Sequence, residues 1–264
     1  MGTPTFDPVA AVYDDFIGQW TRLYIPTLLR AAQARAGQRV LDLATGTGES
    51  ALMAADAVAP DGRIVGADIS VPMLRGALAK LGARPIRLVA MDGQALALRS
   101  EAFDTVISQL GLMFFPDPVA GVREARRVLR PGGRFAALVW GTREQVPWAG
   151  SLVDELLRHF PDRRDDLLRG TTLGAPGRLG QVLVDAGLRD VSATTETQSF
   201  RFVSFDDYWR HVESGAIRTG LMLRELPPET RRTIRDRIRE RTVRFATRGR
   251  LEMPSVALVG SGVA

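Results

Sequence analysis

The stretch "VLDLATGTGES", residues 40–50, combines a run of apolar residues, an acidic residue and two closely spaced glycines. Its first residues predict a short buried strand with Asp42 near the carboxyl end. Gly46 and Gly48 predict a tight turn, after which a helix begins. A glycine turn between a strand and a helix lets the backbone approach a ligand closely. The stretch therefore predicts a ligand site where this strand ends.

The composition is that of an ordinary globular protein. The 264 residues are 45% hydrophobic and 25% charged, which suits one large α/β domain or a domain with an inserted subdomain. Cysteine is absent and the histidines are His159 and His211, which excludes thiolate chemistry and argues against any metal site rich in histidine. We expect no bound metal. Without a long apolar run or a secretion signal, we expect a cytoplasmic location.

Strand-like and helix-like patterns alternate from residue 38 onward. This alternation is typical of right-handed crossovers and predicts an α/β fold with a doubly wound, mainly parallel sheet. The predicted strands are "RVLDLA", "RIVGAD", "IRLVAM", "FDTVIS" and "RFAALVW", with helices over 49–58, 71–81 and 118–129, and a turn at "RPGG", 130–133.

The carboxyl-terminal part of the chain has a different pattern. Helices are predicted at about 147–160 and in "LGQVLVDAGL", followed by a strand near 189–200. Two helical segments, at about 205–223 and 228–247, interrupt the chain before a last strand at 253–260. An insertion at this point is placed to cap one edge of the sheet, where a substrate lid would be built.

Two cofactors would suit the glycine turn. The sequence from Gly46 to Ala51 fits G-x-G-x-x-A, and Asp68 follows 20 residues after Gly48, as in a dinucleotide site. The methionine end of S-adenosylmethionine would suit Asp42 better, since a carboxylate attracts an ammonium group and repels a pyrophosphate. In addition, "MDGQALAL" at 91–98 could contact an adenine, and the chain has no Tyr-x-x-x-Lys pair for hydride chemistry. A nicotinamide oxidoreductase stays open as an alternative.

Five segments of the chain resemble, in the same order, the motifs of one family. They are "VLDLATGTGE", "GADISVPML", "MDGQAL", "FDTVISQLGLMFFPD" and "EARRVLRPGGRFAALVW". The chain is similar to class I S-adenosylmethionine-dependent methyltransferases, of the small-molecule type that includes the ubiquinone and menaquinone biosynthesis enzymes. The resemblance implies a Rossmann-like, seven-stranded sheet with an antiparallel last strand and a helical insertion before it. Two departures are Ala44 and Thr45, where the family often has glycine and cysteine. The insertion at about 204–250 matches no motif of that branch.

The resemblance also implies three segments by role. Residues 1–36 would form a helical cap over the cofactor, on which Val9, Tyr13, Phe16, Ile17, Trp20 and Leu23 recur with a helical period and Pro26 could begin a second helix. Residues 37–145 would form the cofactor-binding core. Residues 146–264 would complete the sheet and carry the substrate lid at about 204–250.

The same resemblance implies a set of residues around S-adenosylmethionine. Asp42 would lie near the ammonium group, the amides of 45–48 near the carboxylate, and Asp68 on the ribose hydroxyls. Ile69 and Met73 would pack on the adenine, and Asp92 would accept from its amino group. Tyr13 and Trp20 equally suit core packing. The full set is Tyr13, Trp20, Asp42, Ala44, Thr45, Gly46, Thr47, Gly48, Asp68, Ile69, Met73, Met91, Asp92, Gly93, Gln109 and Leu110.

Methyl transfer from an activated sulfonium requires alignment more than acid–base chemistry. If the acceptor must lose a proton, His211 in "DDYWRHVESG" is the candidate general base, although a helical histidine in the core or on the surface has the same signature. Met113, Phe114, Phe115 and Met222 could line an apolar acceptor chamber. The nine arginines of 231–250 could hold an anionic group or form a solvated helix face.

The predicted partner is a small-molecule acceptor, aromatic, isoprenoid or a secondary metabolite, with no membrane. Nucleic acid is not favoured, because the fourth strand continues as "SQLG" and lacks the Asn/Asp-Pro-Pro-aromatic motif of base methylation. An RNA or protein methyltransferase stays an alternative, as does a protein of this fold that binds the cofactor structurally and catalyses a rearrangement. The sequence leaves open whether the protein forms a homo-oligomer.

Overall fold

The computed structural model describes residues 6–215 and 217–264. One sheet has the strand order β3-β2-β1-β4-β5-β8-β6, and the short β7 pairs with β8. The strands β1 to β5 are parallel, whereas β8 is antiparallel to both β5 and β6. The strands are β1 Arg39–Leu43, β2 Arg63–Asp68, β3 Ile86–Ala90, β4 Phe103–Gln109, β5 Leu129–Trp140, β6 Arg189–Phe202, β7 Ala246–Thr247 and β8 Arg250–Val263.

The strand order reverses between β1 and β4, which lie next to each other at the centre of the sheet. In open parallel sheets, ligands bind beyond the carboxyl ends of the strands at such a point. Residues 40–43 of β1 are buried, because helices cover both faces of the central sheet. The predicted doubly wound sheet with an antiparallel last strand is confirmed.

The helices begin where the sequence supplies capping groups. The Ser70 hydroxyl accepts a hydrogen bond from the Met73 N–H, and the Asp117 carboxylate accepts from the N–H groups of Val119 and Ala120. The helices are α1 Gln19–Thr21, α2 Ile25–Ala31, α3 Glu49–Val58, α4 Val71–Leu81, α5 Pro118–Val128, α6 Pro147–His159, α7 Arg164–Thr172, α8 Arg178–Asp185, α9 Phe205–Gly215, α10 Ile217–Glu225 and α11 Pro228–Thr242.

Three details differ from the predicted elements. The amino-terminal segment is a series of short turns, with a π-helical turn at Asp14–Gly18, and Leu23 on its predicted apolar face is 43% exposed. The "RPGG" segment lies within β5, which begins at Leu129, so no turn precedes the strand. Residues 130–133 instead form a bulge between the pairs Phe103–Leu129 and Thr105–Arg134, where Gly132 has φ 75°. Within the described residues the insertion has three helices, because the predicted segment at about 205–223 is divided into α9, Phe205–Gly215, and α10, Ile217–Glu225. Pro227 and Pro228 separate α10 from α11, where the sequence also predicts a break.

A single hydrophobic cluster joins all three segments of the chain. It includes Ile17 from the first, Val106 from the second and Val259 from the third, each buried. The three predicted segments, 1–36, 37–145 and 146–264, therefore do not have separate hydrophobic cores. Their division by role stays a proposal. The inserted helix α11 packs on α6, and α9 packs on the amino-terminal segment and on β6 and β8. No described helix is long and apolar enough to cross a membrane.

Candidate active site

A crevice opens at the carboxyl ends of β1, β2 and β4, at the point where the strand order reverses. It encloses about 690 Å³ of space between protein atoms, including its open mouth. Most of the predicted site residues line it, namely Tyr13, Ala44, Gly46, Asp68, Ile69, Met73, Met91, Asp92, Gly93, Gln109 and Leu110. The sheet topology thus brings together residues from five separate sequence segments.

The backbone is held in the left-handed region at both central strand ends. Ala44 after β1 has φ 59° and Leu110 after β4 has φ 56°. A Cβ on Gly111 would lie 2.3 Å from the Ala44 Cβ, so the two strand ends approach too closely for any side chain there. Non-glycine residues in this conformation cost about 1–3 kcal/mol each and are concentrated at functional sites. The strain is located at the floor of the crevice.

Asp42 lies beneath the glycine turn and is completely buried. Its Oδ2 accepts hydrogen bonds from the Thr45 hydroxyl at 2.6 Å and the Ser50 hydroxyl at 2.7 Å, while its Oδ1 has no partner among the described residues. Burial raises the pKa of Asp42 to about 6, and the two hydroxyl donors oppose that rise. Asp42 is not among the residues that line the crevice. Its contacts therefore organise the turn from below.

Asp68 faces the crevice and also anchors two loops. Its Oδ2 accepts from the Gly46 N–H and its Oδ1 from the Ser70 N–H, each at 2.8 Å. Burial raises the pKa of Asp68, opposed by these backbone donors. A carboxylate oxygen can accept more than one hydrogen bond, so both oxygens keep capacity for ligand hydroxyls.

The amides of the glycine turn are largely used within the protein. The Thr45 N–H donates to the Ala67 carbonyl, the Gly46 N–H to Asp68 and the Gly48 N–H to the Thr45 carbonyl. Three of the four amides expected to hold a carboxylate thus have protein partners. The structure does not support that detail of the predicted role, because the turn is closed by its own hydrogen bonds.

The amino-terminal segment lies across the crevice and is attached to its loops by polar contacts. The Asp14 carboxylate accepts from the Thr47 hydroxyl at 2.5 Å and pairs with Lys80 at 2.7 Å, and Lys80 also pairs with Glu49. Asp7 accepts from the Ser70 hydroxyl at 2.5 Å. Thr47 therefore serves this attachment, and together with Thr45 and Gly48 it is not among the residues that line the crevice.

An apolar chamber of about 850 Å³ adjoins the crevice. Phe6, Tyr13, Leu110 and Phe114 line both spaces, so the two meet at these side chains. Burial, together with the nearby carboxylates of Asp14 and Asp68, raises the pKa of Tyr13, so its hydroxyl stays protonated. The remaining described lining residues are Ile17, Met113, Trp140, Val146, Trp148, Ala149, Val153, Asp166, Leu167, Gly170, Thr171 and Thr219.

Two predicted site residues lie elsewhere. Trp20 stacks on Phe200 with a ring-centroid separation of 5.2 Å and contacts Phe202 at 4.8 Å. His211 lies edge-on to Trp20 at 5.3 Å, and its Nδ1 is 2.8 Å from the Asp207 carbonyl oxygen. Neither is among the residues that line the crevice or the chamber. This geometry favours the core-packing interpretation of both side chains.

The sequence prediction of the chamber was partial. Met113 and Phe114 line the chamber, and Phe115 lines the crevice, whereas Met222 is buried but is not among the residues lining either space. The chamber walls from β5, α6 and α7 were missed, because their apolar side chains resemble ordinary core. Phe6 and Gln94 were also missed at the crevice; "MDGQAL" contains Gln94 and could have indicated it.

The donor set of the crevice fits S-adenosylmethionine. Asp68 offers carboxylate oxygens for ribose hydroxyls, Ile69 and Met73 offer apolar surface for a ring, and Asp92 lies beside Gly93 at the carboxyl end of β3. The Asp92 side chain accepts from the Gln94 N–H at 2.9 Å, which orients its carboxylate. Below the turn, the buried Oδ1 of Asp42 adds an acceptor that has no hydrogen-bond partner among the described residues.

The sequence comparisons identify a methyltransferase domain. Residues 41–137 match the family described as methyltransferase domain. Nocamycin O-methyltransferase from Saccharothrix syringae is 31% identical over 215 residues, which cover 74% of this chain and 75% of that protein. Demethylmenaquinone methyltransferase from Thermus thermophilus is 40% identical over 122 residues, which cover 46% of this chain but only 53% of that protein.

Solved structures share the fold at low sequence identity. A SAM-dependent methyltransferase from Aquifex aeolicus superimposes with a TM-score of 0.53 at 18% identity, covering 72% of this chain and 90% of that one. Phosphoethanolamine N-methyltransferase 2 from Haemonchus contortus, solved with S-adenosylhomocysteine, gives 0.60 at 16% identity, covering 97% and 57%. At these identities the likeness concerns the fold alone.

Proposed function

This chain belongs to the S-adenosylmethionine-dependent methyltransferases, and from that premise we propose that it methylates a small, largely apolar molecule bound in the chamber beside Tyr13 and Phe114. The observation that carries the proposal is the junction of two spaces with different linings. The crevice has carboxylates at Asp68 and Asp92, whereas aliphatic and aromatic side chains dominate the chamber.

The residues of the crevice would hold the cofactor in one orientation. Bound S-adenosylmethionine supplies an activated methyl group on a sulfonium. Asp68 would accept from the ribose hydroxyls, Ile69 and Met73 would pack on the adenine, and Asp92 would accept from the adenine amino group. The Oδ1 of Asp42, below the turn, would contribute negative charge at the methionine end.

The residues at the junction would align the acceptor and exclude water. Phe6, Tyr13, Leu110 and Phe114 border both spaces, so the methyl group would cross between them. Holding two reactants in line in a dry site supplies a large part of the rate in such displacements. The Tyr13 hydroxyl, kept protonated by its raised pKa, could donate a hydrogen bond to an acceptor oxygen but would not remove a proton.

The relatives support an acceptor of this kind. One is named for nocamycin and another for demethylmenaquinone, and neither name refers to a nucleic acid or a protein. The chamber, enclosed by Trp140, Trp148 and Phe114, suits an aromatic or isoprenoid body.

The experiment gives the purified protein S-adenosylmethionine with a tritiated methyl group and three separate acceptor pools. The pools are a mixture of phenols, quinols and isoprenoid alcohols, total cellular RNA, and total cellular protein. Organic extraction then separates small labelled products from label that precipitates in acid. We expect label in the organic extract of the first pool alone.

Two results would contradict the proposal. Label confined to the acid precipitate would indicate a macromolecular acceptor. Micromolar binding of S-adenosylhomocysteine in a calorimetric titration, with no transfer to any pool, would favour the alternative in which the cofactor is structural and the reaction is a rearrangement. A parallel titration with NADH, where we expect no binding, tests the dinucleotide alternative.

A further inference from the structure

Gly170 lies inside a helix, and its backbone conformation does not require a glycine. It lies in α7, Arg164–Thr172, and it is not among the described glycines with positive φ. Glycine weakens a helix relative to alanine, because it has more backbone freedom to lose. The atoms that a side chain at position 170 would meet therefore decide whether its absence has a structural consequence.

Close packing against another part of the protein is the usual steric explanation, and it does not apply here. A Cβ built on Gly150 would lie 2.2 Å from the Arg143 carbonyl oxygen, and one on Gly174 would lie 2.4 Å from the Trp140 carbonyl oxygen. Both sites require glycine because backbone passes directly over them. A Cβ on Gly170 would meet nothing closer than 4.0 Å, which is ordinary van der Waals contact.

The space in front of Gly170 is the apolar chamber. Gly170 lines it together with Asp166, Leu167 and Thr171 of the same helix, so one face of α7 forms a wall. The atoms that a Gly170 Cβ would meet at 4.0 Å are Cε1 and Cζ of Phe114, the ring that borders both the crevice and the chamber. A side chain at 170 would therefore narrow the chamber beside the junction.

We infer that Gly170 limits the size of the acceptor: because it has no side chain, the chamber beside Phe114 stays open to a molecule broader than a single ring. This inference rests on the proposed function, because it takes the chamber to be the acceptor site. The absent side chain is the specificity element: a single-ring acceptor would not need the space, and a broader apolar acceptor would fill it.

Gly180 provides a matched control. It is also a helical glycine without positive φ, in α8, Arg178–Asp185, and a Cβ there would meet nothing within 4 Å. It is not among the residues that line the crevice or the chamber. Substitutions at Gly170 and Gly180 should thus have similar effects on helix stability and different effects on acceptor binding.

The test measures the binding of three phenols of increasing size to the complex with S-adenosylhomocysteine. The probes are phenol, 2-naphthol and 9-phenanthrol, titrated calorimetrically into the wild type, Gly170→Ala, Gly170→Val, Gly180→Ala and Gly180→Val. In Gly170→Val we expect the affinity for 9-phenanthrol to fall by about tenfold or more, the range for forcing extra methyl groups into a filled space. 2-Naphthol should lose less, and phenol should be unaffected.

The controls separate steric exclusion from misfolding. Both alanine variants should melt at or above the wild-type temperature, since alanine stabilises a helix. Affinity for S-adenosylhomocysteine should be unchanged in all four variants, and the Gly180 variants should bind every phenol as the wild type does. Gly170→Ala should show an intermediate loss for 9-phenanthrol.

The outcomes distinguish this inference from the proposed function. A wild type that binds 9-phenanthrol while Gly170→Val binds it equally well would overturn the role of Gly170 and leave the acceptor chamber standing. A wild type that binds S-adenosylhomocysteine but none of the phenols would refute the apolar acceptor chamber itself, and the inference with it. Equal losses in the Gly170 and Gly180 variants would also overturn the inference.

Discussion

At the scale of single residues, the two aspartates beside the glycine turn have different tasks. Asp68 faces the crevice and accepts from the Gly46 and Ser70 N–H groups, whereas Asp42 accepts from Thr45 and Ser50 beneath the turn. The sequence pattern predicts that both aspartates lie at strand ends, but only the folded structure shows that Asp68 is the one open to a ligand.

Replacement of Asp68 tests its proposed ribose contact. Asp68→Ala should weaken S-adenosylhomocysteine binding by about 1.5–3 kcal/mol, the range for hydrogen bonds to a charged group, as measured by calorimetric titration. Asp68→Asn keeps one acceptor oxygen for a loop amide and should lose less. Asp117→Ala, which removes a helix cap outside the crevice lining, should bind normally. Unaltered affinity in Asp68→Ala would exclude the ribose assignment.

Asp42 should make the stability of the protein depend on pH in an unusual direction. Its pKa is about 6 in the folded protein against its usual value of 3.8, so the folded state holds a proton that the unfolded chain releases. Between about pH 4 and 6 the contribution of Asp42 to stability should therefore decrease as the pH rises, by up to about 3 kcal/mol.

The measurement compares urea unfolding of the wild type and Asp42→Asn at pH 4.5, 6 and 7.5. Asparagine does not titrate, so the difference in unfolding free energy between the two proteins isolates this carboxyl group. As the pH rises, the unfolding free energy of the wild type should decrease relative to that of Asp42→Asn. A difference that is constant with pH would contradict the raised pKa.

At the scale of elements, the arginine-rich helix α11 is partly attached to carboxylates of the protein. Glu155 of α6 is completely buried and lies 3.2 Å from Arg237 and 2.7 Å from Arg241. Arg235 and Arg239 pair with Asp206 of α9, at 2.7 and 2.8 Å. Four of the nine arginines of 231–250 are thus paired: two hold α11 to α9 within the insertion, and two attach α11 to α6. These ion pairs account for much of a pattern that otherwise resembles an anion site.

The Glu155 cluster should respond asymmetrically to substitution. The double variant Arg237→Met/Arg241→Met leaves a buried carboxylate without compensation and should lower the free energy of unfolding by about 3–5 kcal/mol in urea denaturation. Adding Glu155→Gln should recover most of that loss, because the buried charge is gone. Glu155→Gln alone should have a small effect, since both arginines are partly exposed and can be hydrated. Equal losses in the double and triple variants would contradict this account.

At the scale of the whole molecule, the amino-terminal segment connects the loops of the crevice with β6 and the inserted helix α9. Asp14 contacts Thr47 and Lys80 on one side. On the other side, Trp20 packs among Phe200, Phe202 and His211, which belong to β6 and α9. A segment that looks like a simple amphipathic helix in the sequence is therefore a bridge, and its broken turns follow the two surfaces that it touches.

The order of strands and helices, and the position of a crevice at the strand ends, were largely predictable from the sequence. The spacing of apolar residues, every second residue in a strand and every third or fourth in a helix, shows which face of an element is apolar. The helix predicted at 49–58, for example, coincides with α3. The glycine turn and the strand-end aspartates mark the cofactor crevice because parallel strands place their carboxyl ends at one edge. These are local signals, each readable within about ten residues.

The apolar chamber and the place of His211 were decided only by the tertiary structure. One space is lined by distant parts of the chain, with Phe6 and Tyr13 from the amino-terminal segment and Trp148 and Gly170 from α6 and α7. His211 and Trp20 share a cluster that no periodicity indicates. The physical reason is that an apolar pattern shows that a face will be buried but not which other face will cover it, and a chamber exists only where two such faces fail to meet completely.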